Sequence, residues 1–153
     1  RSQAMSAAAR IIGSRALSKG ELVDKLTQKG HSRENAQAAA DYMEEIGALN
    51  DGQYAKILAR HYAGRGYGTR KIQSELYRRK VPREYWAEAL AEVETPEDVI
   101  DRLIEKKLRG KVPDRKELGK VSAFLARRGF SWSEIQEGLS RYKEAQDEFE
   151  PYP

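Results

Sequence analysis

The sequence predicts an all-α protein of three tandem three-helix, helix-turn-helix-like repeats in an extended, curved array. Three observations predict it. No run of alternating apolar and polar residues is long enough for a strand. Helix start and stop signals instead recur along the chain. The spacing also repeats: shifting Ile72 and Leu76 back by 50 lands on Leu22 and Leu26, and forward by 49 on Val121 and Leu125. Gly30, Lys80 and Gly129 share a second equivalent position, Ala40, Leu90 and Leu139 a third, and Lys29, Arg79 and Arg128 a fourth. A unit of about 45 to 50 residues buries little on its own, so stacked units are expected. The boundaries read as 1–48 including an N-terminal arm, 49–94, 95–146, and a disordered acidic tail at 147–153.

Taken in order, a first helix over about 6–16 is Ala-rich, with Ile11 and Ile12 apolar and Gly13 weakening it by about 1 kcal/mol. Ser18-Lys19-Gly20-Glu21 is a capping box, in which hydroxyl and carboxylate each accept an orphan N–H. It starts a helix with Leu22, Val23 and Leu26 as its stripe and Gly30 as its C-terminal cap. Ser32 caps a third helix through Ala36, Ala39, Ala40 and Met43 to Gly47. The second copy opens at Asn50 or Asp51, with Tyr54, Ile57, Leu58 and Tyr62 on one face. Gly64, Gly66 and Gly68 make a tight corner that uses glycine's access to positive φ, and Thr69 reads as N-cap of the helix that follows. Pro82 precedes a helix that buries Tyr85, Trp86, Ala89 and Leu90.

Thr95-Pro96-Glu97-Asp98 combines a cap, a proline at the first helical position and acids in the first turn. It opens a helix carrying Val99, Ile100, Leu103, Ile104 and Leu108. Asp114 with Glu117 and Ser131 with Glu134 are two further capping boxes, one for a helix through Leu118, Val121 and Leu125, the other for a helix through Ile135 and Leu139 that frays after about Glu144.

Charge narrows the function. The chain has a net charge of +4, but residues 56–83 hold nine Lys/Arg against the single acid Glu75, and residues 102–128 hold ten against three acids. The remainder is therefore net acidic. Two basic segments in such a chain indicate a polyanion or an acidic protein groove as partner. With no cysteine there is no disulfide or thiolate site. No apolar run nears the roughly 20 residues of a membrane span, so a soluble, cytoplasmic protein is expected, with no membrane partner.

Direction gives the basic residues meaning. At about 100° per residue, Arg70, Lys71, Ser74 and Arg78 lie opposite Ile72 and Leu76, while Lys116, Lys120 and Arg127 lie opposite Leu118, Val121 and Leu125. Lys71 and Lys120 are repeat equivalents, as are Arg78 and Arg127; the first copy has Glu21 and Gln28 there. Cations opposite an apolar stripe are ordinarily just a solvated face. Such a face normally mixes signs, however, and this one does not. Tyr62, Tyr67 and Tyr77 are placed to stack on bases but at helical spacing read first as packing, as do Trp86 and Trp132.

Catalysis has little support. His31 and His61 have no partners at metal-binding spacing, Glu44-Glu45 and Asp98 with Asp101 are ordinary surface acids, and no strand precedes the glycine run as a phosphate fingerprint requires. A non-enzyme with no cofactor and no metal is expected, and a monomer, since no dimerisation heptad is visible.

Arg65-Gly66-Tyr67-Gly68, followed by Arg70-Lys71-Ile72 and Glu75-Leu76, and then Leu125-Ala126-Arg127-Arg128-Gly129-Phe130-Ser131, resembles the RecX family of bacterial recombination regulators. So do Ser18–Glu21, Leu22, Leu26, Lys29-Gly30 and Gly47-Ala48-Leu49-Asn50-Asp51; the likeness spans about residues 7–142. Lys80-Val81-Pro82 departs from it, standing where a Lys-Gly-hydrophobic turn is commoner. The resemblance implies a curved three-repeat protein that binds the RecA recombinase filament on single-stranded DNA. It would limit filament growth and damp strand exchange, ATPase and coprotease activity, as a regulator in DNA repair. Sequence-independent affinity for single-stranded and also double-stranded DNA fits the charge. The expected contact residues are Arg70, Lys71, Arg78, Lys116, Lys120 and Arg127, with Arg65 and Tyr67 at the corner and Arg79 and Arg128 flanking. The alternative is a sequence-specific DNA-binding transcriptional regulator with one basic helix in a major groove.

Overall fold

The computed structural model describes residues 2–93 and 95–148. Among them it contains nine α-helices and one 3-10 turn, with no strand. The helices are α1 (Ser2–Ser14), α2 (Lys19–Gln28), α3 (Arg33–Glu45), α4 (Asp51–Gly64), α5 (Thr69–Arg78), α6 (Trp86–Ala91), α7 (Pro96–Leu108), α8 (Arg115–Arg127) and α9 (Trp132–Glu148). The 3-10 turn, Arg83–Tyr85, precedes α6. The chain forms two compact units, Arg1–Ala59 with Gln73–Glu92, and Arg60–Ile72 with Val93–Pro153. Their boundaries fall inside α4 and α5.

In the first unit α1, α2 and α3 close on a core of small and branched residues. Ala4, Ala8, Leu22, Leu26, Ala36 and Ala40 are all fully buried. Alanine on α1 and α3 lets those helices approach closely, while Leu22 and Leu26 fill the centre; burying each such leucine contributes about 1.5–3 kcal/mol. The ends are set locally. Ser18 Oγ accepts from Glu21 N–H at 3.0 Å and Glu21 Oε1 accepts from Ser18 N–H at 2.9 Å, so the capping box is complete. Gly30 has φ +99°, and His31 N–H donates to Leu26 C=O at 3.1 Å. Ser32 caps α3 and Asn50 caps α4. Further along, Trp86 is buried and its indole N–H donates to Val81 C=O at 2.9 Å.

In the second unit α7, α8 and α9 enclose Val99, Ile100, Ile104, Leu108, Val121, Leu125, Phe130 and Ile135. Gly138 lets α9 lie against α7, since a Cβ there would come within 2.4 Å of Ile100. Arg141 grips Asp101 through Nε and Nη2 at 3.0 and 2.9 Å, and Tyr142 O–H donates to Lys111 C=O at 2.7 Å. Both expected capping boxes form, as does the Thr95 cap with Pro96 at the first helical position.

Several expectations are corrected. Helix α1 starts at Ser2 and ends at Ser14, leaving Gly13 in its last turn, where it costs little. Thr69 is the first residue of α5 rather than its cap, a place taken by Gly68, whose carbonyl accepts from Ile72 N–H. Trp132 is 75% exposed rather than packed, because Phe130 two residues earlier fills the core at 2% exposure. Helix α9 runs on through Glu148; the rest of the expected disordered tail, 149–153, lies outside the described residues.

Candidate functional site

The site is built on a backbone joint in the second unit. The corner before α5 meets the turn between α8 and α9: Gly68 N–H donates to Arg128 C=O at 2.7 Å and Arg70 N–H to Gly129 C=O at 3.1 Å. The glycines serve different ends. Gly66 has φ +83°, which only glycine adopts cheaply. Gly68 is there for space, since a Cβ would stand 2.7 Å from Gly129 O and from Phe130 Cδ1. Gly129 needs both, having φ +99° and a hypothetical Cβ 2.5 Å from Lys71 N. Gly64 meets nothing within 4 Å.

The first unit contains the same joint one repeat earlier. There Ser18 Oγ donates to Arg79 C=O at 2.5 Å, and a Cβ on Gly20 would stand 2.9 Å from Lys80 Cβ. Lys80 takes φ +60° at the position where Gly30 and Gly129 stand, and its ammonium pairs with Asp24.

Around the second joint, cations and rings alternate. The Arg128 guanidinium lies 4.6 Å from the Tyr67 ring centre and 5.1 Å from that of Phe124, and Nη1 donates to Arg65 C=O at 2.7 Å. Lys71 Nζ is 5.8 Å from Tyr67 and Lys107 Nζ 4.3 Å from Phe124. Tyr67 meets Tyr62 edge-on at 5.8 Å. Each cation–ring contact contributes about 0.5–1 kcal/mol or more when desolvated. Arg128 is therefore an internal strut, and Tyr62 and Tyr67 are packed against neighbours. Tyr77, by contrast, is 71% exposed.

The ten expected contact residues thus separate. Arg65, Arg70, Arg78, Lys116, Lys120 and Arg127 are exposed, while Tyr67, Lys71, Arg79 and Arg128 are half-buried. On α5, Arg70, Ser74 and Arg78 recur at four-residue spacing and all face water. Glu75, the one acid of that helix, is buried and accepts from Arg78 at 2.6 Å, with Arg79 Nε at 3.6 Å. Arg79 also donates to Tyr54 Oη at 3.3 Å, so it is turned inward and does not flank the outer face. On α8, Lys116, Lys120 and Arg127 form no ion pair among the described residues. Arg127 lies two residues from Gly129, whose carbonyl accepts from Arg70 N–H, so the joint brings the end of the α8 face to Arg70.

A groove between α7 and α8 adds a residue the repeat pattern missed. Lys107 lines it opposite Lys120 and Arg127, over a floor of Leu108, Val121 and Phe124. The available signal was its place three residues after Ile104 and four after Leu103, beside the apolar stripe, where a lysine stem packs and its head reaches water. His31 and His61 are far apart in sequence, the first half-buried and the second exposed with its ring 5.1 Å from Tyr62. Among the described residues no helix is long and apolar enough to cross a membrane.

Comparison with known proteins agrees with this architecture. Family models of the second and third three-helix domains of RecX match residues 50–90 and 96–139. The regulatory protein RecX of Vibrio parahaemolyticus is 36% identical over 124 residues, covering 78% of this chain and 79% of that protein. That of Pelodictyon phaeoclathratiforme is 35% identical over 141 residues, covering 89% and 86%. The crystal structure of RecX from Lactobacillus salivarius superposes with a TM-score of 0.82 at 19% identity, over 93% of this chain and 96% of that one, a likeness of fold.

Proposed function

The chain belongs to the RecX family of regulatory proteins, and from that premise we propose that it restrains the RecA recombinase by binding the RecA filament on single-stranded DNA. The observation that carries the proposal is the row Lys116, Lys120 and Arg127 on α8, exposed and without ion pairs among the described residues, beside the exposed Arg70 at the joint. An outward face of cations with no ion pairs of its own, unlike a solvated face of mixed sign, favours an anionic partner. Arg128 and Tyr67 brace the joint from within, and Arg65 lends it its carbonyl. Binding through such a face limits filament growth, and with it strand exchange, ATPase and coprotease activity, without sequence preference. The protein acts in this reading as a non-enzymatic regulator, bounded as the three repeats 1–48, 49–94 and 95–146.

The test is RecA ATP hydrolysis on single-stranded DNA. Inhibition well below one molecule of this protein per RecA subunit is expected, and no inhibition at equal concentration overturns the proposal. A Lys120→Glu/Arg127→Glu variant, altered only at exposed positions, should inhibit at least tenfold less.

A further inference from the structure

We infer that the groove between α7 and α8 is a seat for the phosphate backbone of a single nucleic-acid strand, held by Lys107, Lys120 and Arg127. The inference deepens the function proposed above and rests on it: it names which component of the filament this part of the face takes. Three features carry it. The groove presents cations from both helices, Lys107 on one side and Lys120 and Arg127 on the other. Its single lining acid, Glu117, is turned to the capping box, where its carboxylate accepts from Asp114 N–H at 3.2 Å, so the lining carries three positive charges against one negative. None of the three cations has an ion-pair partner among the described residues, so the groove keeps a net positive charge for an incoming anion.

Spacing and rigidity favour a strand over an acidic peptide. Lys120 and Arg127 are seven residues apart on one helix, about 10.5 Å along its axis at 1.5 Å per residue. A stacked strand carries a phosphate about every 3.4 Å, so that length meets about three of them. Lys107 is fixed opposite by its packing over the Phe124 ring at 4.3 Å. Phe124 also carries the Arg128 guanidinium at 5.1 Å. The floor ring is therefore engaged by the protein's own cations and offers no free platform for a base. The groove reads charge and not sequence.

The measurement is fluorescence anisotropy of a labelled oligothymidylate with the full chain and no RecA, across salt. Each phosphate neutralised on a single strand contributes about 0.7 to the slope of log affinity against log salt, so three cations account for about 2, a roughly twentyfold effect between about 50 and 200 mM salt. The variant Lys107→Gln/Lys120→Gln/Arg127→Gln should lose that share. A charge-matched variant, Lys106→Gln/Lys111→Gln/Lys143→Gln, exposed in the same unit but outside the groove, should keep it. Equal losses in the two variants, an unchanged slope in the first, or displacement of the oligonucleotide by polyglutamate at matched charge would each overturn the inference. RecA ATPase inhibition by the unaltered protein, measured alongside, fails only if the broader proposal fails.

Discussion

Replacing Gly129 by alanine, and separately Gly30 by alanine, isolates what the joint demands of the chain. Both glycines have φ +99°, so an L-residue suffers the same left-handed penalty at each, about 1–2 kcal/mol. Their surroundings differ completely. A Cβ on Gly30 meets nothing within 4 Å, whereas on Gly129 it stands 2.5 Å from Lys71 N and 2.6 Å from Lys71 Cβ. The nearest obstacle is backbone in the first turn of α5, which cannot move aside as a flexible side chain would. Overpacking of that kind adds about 1–3 kcal/mol. Alanine's smaller unfolded-state freedom returns about 0.5–1 kcal/mol at both sites, so Gly30→Ala should lose about 0–1.5 kcal/mol and Gly129→Ala about 1–4.5 kcal/mol. Urea titrations followed by far-ultraviolet circular dichroism, at constant slope, measure both. Equal losses would refute the reasoning, because they would mean that the contact between α5 and the α8–α9 turn yields without cost.

Two further predictions concern the first unit. Asp51 is buried with its Oδ1 accepting from Lys19 N–H at 2.9 Å; burial raises its pKa above the ordinary carboxylate value, and the Lys19 N–H only partly offsets this. The folded state thus holds that proton more tightly than the unfolded chain, and the group's contribution to stability declines as pH rises from the unfolded to the raised folded value. Asp51→Asn keeps the acceptor and removes the titration, so its stability relative to the unaltered chain should climb across that window; a difference independent of pH counts against it. Lys80→Gly removes a left-handed side chain costing about 1–2 kcal/mol but adds back about 0.5–1 kcal/mol of unfolded-state freedom and gives up the exposed pair with Asp24. A thermal melt should show no loss of stability, and a fall of several degrees would show that the Lys80–Asp24 pair holds its joint.

What the sequence disclosed was chiefly local. The three capping boxes need only residues three apart, and each forms as read. The equivalence of Gly30, Lys80 and Gly129 also carries through, as all three have positive φ. What the sequence did not disclose are contacts whose partner lies far along the chain. Arg79 is drawn in by Tyr54, 25 residues away, and Arg128 by the Arg65 carbonyl, 63 residues away, distances at which no periodicity speaks. Thr69 had the chemistry of a cap, but the corner before it is dictated by the approach of Gly129. Trp132 read as local packing, yet it is exposed while Phe130 two residues earlier is in the core.

The two joints also show how a copied unit can diverge without losing its fit. In the earlier copy the main-chain N–H of Ser18 is committed to Glu21, so the hydroxyl makes the bond to the next copy's carbonyl. In the later copy the residue matching Glu21 is Lys71, the capping box is gone, and the N–H of Gly68 is released to make the equivalent bond itself. With a base in place of the acid the local brace is absent, and the free N–H does the work of the hydroxyl that Gly68 lacks. The equivalent bond is thus made by different atoms in the two units, which residue-by-residue comparison of the repeats scores as a mismatch.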